Sequence, residues 1–265
     1  MHARYLAALE RDGWLDRELE FLPTADELVE RRRAGSGLTT PELSVVLAYT
    51  KNRLSADLLD ATVLDDPYFE DELAAYFPAL MRERYGAEIR QHPLRREIIA
   101  TRITNAVVDR GGMTMLHRLG EETEAEAVEI ARAHRVAWDV LGLEATWAEV
   151  SILDGAVAAD TQMALLLDIR RFAERATRWL LHNRPDLPPA EPEVTATESG
   201  LSWSQAVAEE LRAGATEVLA GVADLVVGDD RQRLDDSVAR CTDLEVPDRI
   251  ARRIASLEPA VAVFD

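Results

Sequence analysis

The chain has 265 residues, of which 47% are apolar, with a single cysteine, Cys241, and a formal net charge of −19. That charge works against a surface that tracks nucleic-acid phosphates or lies on an anionic membrane, since both need clustered positive charge. One cysteine excludes an internal disulfide and a thiolate zinc cluster, which fits a cytoplasmic setting, and no apolar run reaches the roughly 18 residues of a membrane span.

Helix signals recur along the chain, and no β-alternation of useful length interrupts them. His2 to Glu20 reads as a short amphipathic helix with Tyr5, Leu6 and Leu9 on one face, a turn at Gly13 and a resumption at Trp14-Leu15, closed by Phe21-Leu22-Pro23. Thr24 can cap a helix through Arg33, stopped at Gly35-Ser36-Gly37. In Thr39-Thr40-Pro41-Glu42 two registers are open: Thr39 with Glu42 as a capping box, or Thr40 as cap with Pro41 at the first helical position. The helix that follows begins LSVVLAYT, apolar enough that its first half is expected to be buried all round. Asp65-Asp66-Pro67 marks another start, and Tyr76-Phe77-Pro78 divides two short helices presenting Leu73, Tyr76, Leu80 and Tyr85.

His92 to Gly112 describes a long helix, which Pro93 can open and Gly111-Gly112 can close. Leu94, Ile98, Thr101, Asn105 and Val108 form one stripe, and Ile99, Ile103, Ala106 and Val107 a second. A helix apolar on two sides is expected at a centre. The fold class is therefore all-α, an antiparallel multi-helix bundle around a central helix near 93–110, with no sheet. Thr101, Thr104 and Asn105 would then need buried partners, and Asn105 is expected to bond a neighbour's backbone.

Further on, Thr123 and Glu126 have capping-box spacing before a helix with Ile130, Ala131, His134, Trp138 and Leu141 on one side, stopped at Gly142. Trp147, Val150 and Leu153 supply a short connector. Ala156 to His182 is the longest uninterrupted pattern, with Leu165, Ile169, Phe172, Ala176, Trp179 and Leu180 as its stripe. Four prolines then fall between Pro185 and Pro192. The expected organisation is a main helical domain over 1–183, a proline-rich linker or loop over 184–200, and a helical appendix over 201–265 packed on the main domain. In the appendix, Trp203 to Val227 and Arg231 to Cys241 read as helices turning at Gly228-Asp229-Asp230, and Val246-Pro247 opens a last one.

No residue here is assigned a catalytic, cofactor-binding or metal-binding role. Gly35-Ser36-Gly37 lacks the strand and third glycine of a dinucleotide cradle. The five histidines have no histidine partner at helical spacing, and His134 reads as a core residue. Lys51, the only lysine, either reaches toward a ligand or another domain or is simply solvated. Arg171, Arg175, Arg178 and His182 share a stripe that either receives carboxylates of an effector or another domain or pairs with a neighbouring helix. Trp138, Trp147, Trp179 and Trp203 read as core or interface anchors.

The run HPLRREIIAT followed by Asn105, Arg110 and Gly111 resembles the C-terminal region of the large bacterial NAD-specific glutamate dehydrogenases. GLTTPELSVVLAYTK (37–51), DRELEFLP (16–23), AYFPALMRERY (75–85), TRWLL (177–181) and VPDRIARRIASL (246–257) are similar to the same family, in the same order. Glu124 and Glu245 depart from it, standing where glycines are expected. The resemblance implies that the chain is the last, helical region of a longer enzyme that oxidises L-glutamate with NAD to 2-oxoglutarate and ammonium. The ending at Val263-Phe264-Asp265, without a closing cap, agrees with a fragment. On this reading NAD belongs to the parent enzyme and this segment binds no cofactor. Its partners are the catalytic domain of the same chain and, in a homo-oligomer, other subunits, with no nucleic acid and no membrane. Two alternatives stay open: the segment completes the parent's active site through Lys51 or the arginine stripe, or it is a stand-alone helical adaptor.

Overall fold

A computed structural model describes residues 1–183, 202, 204–212 and 228–257. The chain divides into two compact units, Met1–Ala131 and Arg132–Asp265. Among the described residues all regular structure is helical. The division falls inside a helix, while the proline-rich stretch expected as a linker, along with Trp203 and residues 213–227, lies outside the described residues.

The first unit opens with α1 (His2–Arg11), whose Tyr5, Leu6, Ala8 and Leu9 are buried. Gly13 turns the chain at φ 76, a conformation open to glycine without a Cβ penalty. Leu15 and Leu22 then rejoin the core beside α1, with Val46. At the start of α2 (Ala25–Arg33), Thr24 Oγ1 accepts from Glu27 N at 3.2 Å and Glu27 Oε2 accepts from Thr24 N at 2.7 Å, the reciprocal capping box expected of a good start.

Of the two registers open at the next start, the structure has Thr39: its N–H donates to Glu42 Oε2 at 2.6 Å, and α3 runs Thr40–Asp60. Arg31 holds the same carboxylate at 2.8 and 2.9 Å. The expectation that the first half of α3 is buried all round does not hold. Val46, Thr50, Leu54 and Leu58 are buried at four-residue spacing, whereas Ser44 and Ala48 are exposed. Ala and Ser carry little apolar area, so leaving them in water costs little. Two short 3-10 turns, Thr62–Asp65 and Pro67–Phe69, follow, the second capped by Asp66 Oδ1 accepting from Tyr68 N at 2.9 Å. Pro78 separates α4 (Glu70–Tyr76) from α5 (Ala79–Arg90), on which Leu80 and Tyr85 are exposed.

α6 (Arg95–Gly111) packs against α3, α4 and the first 3-10 turn. Its buried face is Ile99, Ala100, Ile103, Thr104, Val107, Val108 and Gly111. This corrects the two-sided reading: Thr101 and Asn105 are exposed, and Leu94 is 54% exposed. Asn105 bonds a side chain, Lys51, and not a neighbour's backbone. Arg96, near the helix start, reaches back to Leu59 O at 2.9 Å and Ala61 O at 2.8 Å and pairs with Asp65, as Arg95 also does.

The unit continues through α7 (Met115–Thr123), which ends on Glu124 at φ 61. The Thr123/Glu126 capping box is not formed. Thr123 Oγ1 instead donates to Leu119 O at 2.7 Å, and Glu129 accepts from Glu126 N at 2.8 Å, so the capping interaction sits three residues later. The left-handed Glu124 is what separates the two registers.

α8 (Ala127–Val140) carries the division, and its residues Ile130, Ala131, Ala133, His134, Val136, Ala137 and Trp138 are each at most 2% exposed. In the second unit, Gly142 at φ 60 turns α8 into α9 (Leu143–Ser151), and α10 (Ala159–Asn183) packs against α9. Of the expected stripe of α10, Leu165, Ile169, Phe172, Ala176 and Leu180 are buried, while Trp179 is only half-buried. Trp138 meets Trp147 edge-on at 5.7 Å. His134 is a core residue whose Nδ1 lies 3.1 Å from Thr177 Oγ1. Residues 204–212 form α11. Gly228-Asp229-Asp230, expected as a turn, already belongs to α12 (Gly228–Asp243). α13 (Asp248–Ala255) packs against α12, α9 and α10 through Ile250, Ala251 and Ile254, while Arg249 and Arg253 grip Glu149 at 2.6 and 3.5 Å.

Candidate functional site

The first unit holds a cleft of about 800 Å3 lined by α1, α3, α7 and the turn into α8. Its deep lining is apolar and aromatic: Tyr5 and Leu54 are 5% and 1% exposed. The Tyr5 ring lies 5.2 Å from His117 at a 31° tilt. Thr50, also buried, donates to Val46 O at 2.7 Å and shares a hydrogen bond with Tyr5. Four-residue spacing puts Arg53 and Asp57 on one face of α3, and the same spacing puts His117 and Glu121 on one face of α7.

The charges at the rim are matched to each other. Arg53 donates to Asp12 at 2.9 Å and stands 3.9 Å from Asp57, while Arg11 reaches Asp12 at 3.1 Å and Arg4 reaches Glu121 at 2.7 Å. Burial alone would raise the Asp12 pKa, but hydrogen bonds from Arg11 and Arg53 draw it below the usual carboxylate value. At Asp57 burial prevails: its pKa is raised despite Arg53, with Asp60 and Glu126 adding to the rise. Burial lowers the His117 pKa, and Arg4, Arg53 and Arg11 lower it further against the pull of Glu121, so the imidazole is neutral at pH 7. The cleft therefore offers a neutral imidazole, a buried phenol and a ring of ion pairs that already answer one another.

The residues singled out in the sequence lie elsewhere. Lys51 Nζ is 2.6 Å from Asp109 Oδ1 and 2.9 Å from Asn105 Oδ1, so it ties α3 to α6. In the second unit Arg171 pairs with Asp168 at 3.0 Å and Arg178 with Glu174 at 3.3 Å, each within α10. Arg175 and His182 are exposed. Tyr5 was placed in sequence only as part of an apolar helix face, and Asp12, Arg53, Asp57 and His117 were not singled out as site residues. The signal that could have found them is the pair of four-residue spacings, Arg53/Asp57 and His117/Glu121. Among the described residues no group of three or more His, Cys, Asp or Glu side chains is placed to hold a metal ion, and no helix is long and apolar enough to cross a membrane.

Fold and cleft together define an acidic protein, helical in its regular structure among the described residues, with cleft-rim charges that pair with one another. The family model described as "Glutamate dehydrogenase, C-terminal" matches residues 35–265, and the chain belongs to that family. It is 35% identical over 235 residues to the NAD-specific glutamate dehydrogenase of Halomonas elongata, covering 83% of this chain and 15% of that one. To the enzyme of the same name from Pseudomonas aeruginosa it is 42% identical over 183 residues, 69% of this chain and 11% of that one. To that of Mycobacterium tuberculosis it is 31% identical over 256 residues, 97% of this chain and 15% of that one. The chain thus spans between 11% and 15% of the length of these curated relatives.

Proposed function

We propose that this chain works as the non-catalytic C-terminal helical module of an NAD-specific glutamate dehydrogenase, bracing the catalytic domain of the same polypeptide and contributing to its assembly or regulation. The parent reaction on this reading is the oxidation of L-glutamate by NAD and water to 2-oxoglutarate, ammonium and NADH, with NAD bound outside this segment. The observation that carries the non-catalytic part is Lys51. It is the chain's only amine side chain, and its ammonium is bound between Asp109 and Asn105 within the first unit. An ammonium already engaged by a carboxylate and an amide oxygen is held in position, which suits a tie between helices and not a substrate clamp.

The test is to remove the whole segment from the full-length dehydrogenase and compare oligomeric state, kcat and KM with the intact enzyme. The expected result is altered assembly or altered kinetics with NAD still bound. Unchanged assembly together with unchanged kinetics would overturn the proposal.

A further inference from the structure

The loop between α1 and α2 holds two apolar side chains in water. Its ends are pinned, since Leu15 and Leu22 are 4% and 7% exposed within the core. Asp16 Oδ1 accepts from Glu18 N and Leu19 N, both at 3.0 Å. Arg17 donates to Pro23 O at 2.7 Å and grips Glu10 at 2.9 and 3.2 Å, while Tyr49 donates to Glu20 at 2.6 Å. Between these ties Leu19 is 70% exposed and Phe21 is 92% exposed. Phe21 adopts φ 53, a left-handed conformation that bulky residues rarely take. A well-tied loop that displays an aromatic ring has little freedom left to lose on binding, which is the property of an interface anchor.

We infer that Leu19 and Phe21 form a preformed docking knob that seats in an apolar pocket elsewhere on the same dehydrogenase polypeptide. This rests on the reading of the chain as a module of that enzyme. Size, length and charge select the occupant. Two side chains fall far short of the roughly 800 Å2 per partner that a free protein needs for stable, specific binding. A covalently attached domain meets the knob at an effective concentration of about millimolar, where a small contact suffices. The relatives supply the surface, because the aligned segment is 15% of their length or less. A second copy of this chain is opposed by charge: exposed Asp16 and Glu18 flank the knob, and the chain carries −19. The receiving pocket is accordingly apolar with a neutral or basic rim.

The experiment places a benzophenone-bearing phenylalanine at position 21 of the full-length enzyme, irradiates it and maps the joined peptides by mass spectrometry. Position 33 on α2, where Arg33 is exposed and lies outside the cleft, serves as the control. The expected product joins position 21 to a peptide of the same polypeptide outside these 265 residues, in a yield roughly tenfold above the control. The same probe at Leu19 covers the case in which the enlarged ring no longer fits. Joining to a second copy of this segment, or a yield at both positions no greater than the control, overturns the inference. Failure of the module reading shows separately, as unchanged kinetics and assembly on deleting the segment.

Discussion

Lys51 on α3 and Asp109 on α6 form an ion pair of 2.6 Å, to which Asn105 adds an acceptor at 2.9 Å. The two helices also share the buried faces that make the first unit's core. The pair is partly exposed, the lysine side chain to 28% and the aspartate to 55%, so its worth is that of a surface tie.

Lys51→Met keeps the aliphatic stem and removes the charge. The expected cost is about 0.5–1 kcal/mol in chemical denaturation, with kcat/KM of the proposed parent dehydrogenase unchanged within a factor of about two. A collapse of turnover at unchanged stability would assign the amine to the chemistry.

The one-sided burial of α6 separates two neighbouring substitutions. Ile103 is 1% exposed, and Ile103→Ala is expected to cost about 2–5 kcal/mol. Thr101, two positions earlier, is exposed, and Thr101→Ala should stay within about 0.5 kcal/mol. Equal losses in urea melts of the two variants would restore the two-sided helix.

Glu124 and Glu245 occupy φ 61 and φ 63. The left-handed region costs an L-residue roughly 1–2 kcal/mol, part of which glycine returns as unfolded-state entropy. Glu124→Gly is therefore expected to raise the melting temperature, by about 0.5–1 kcal/mol of stability. Gly142→Ala, at φ 60, should lower it. A drop for Glu124→Gly in calorimetry would contradict the backbone assignment.

Burial raises the Asp57 pKa, so the folded protein keeps a proton at a pH where the unfolded chain has lost it. Stability from this group is complete below the unfolded carboxylate value and is lost as pH rises through the raised value. Asp57→Asn is expected to melt higher than the parent at neutral pH, with the difference fading toward about pH 4. His117 acts in the opposite sense: its pKa is lowered from 6.5, mainly by burial, so stability that is complete above that unfolded value is lost as pH falls through the lowered folded value. His117→Gln should flatten the acid side of the profile. Thermal melts between about pH 4 and 8 check both signs.

Local chemistry was the readable part of this sequence. Thr24 as a cap, the start at Thr39-Thr40, Asp66 before Pro67, and the glycines at 13 and 142 act within a few residues of themselves, so pattern locates them, although it left the Thr39 and Thr40 registers open and misplaced the box at Thr123. The resemblance even located the two left-handed glutamates, as missing glycines. What pattern could not decide was which side of an apolar helix faces a neighbour. LSVVLAYT and HPLRREIIATRITN are apolar on more faces than the first unit covers, and burial depends on partners remote in sequence. The cleft was illegible for the same reason: Tyr5, Arg53 and His117 meet only because α1, α3 and α7 do.

Arg96 fastens the tail of α3 from a distance of 35 to 37 residues, through Leu59 O and Ala61 O. The last turn of α3 has no basic residue of its own; Ala61 N answers Leu58 O locally, while Leu59 O and Ala61 O take Arg96 once α6 is in position. Fraying of that terminus and detachment of α6 are then one opening event. Amide hydrogen exchange at Leu58 and Ala61 would share its rate with the α6 core, and an Arg96→Met variant would uncouple them.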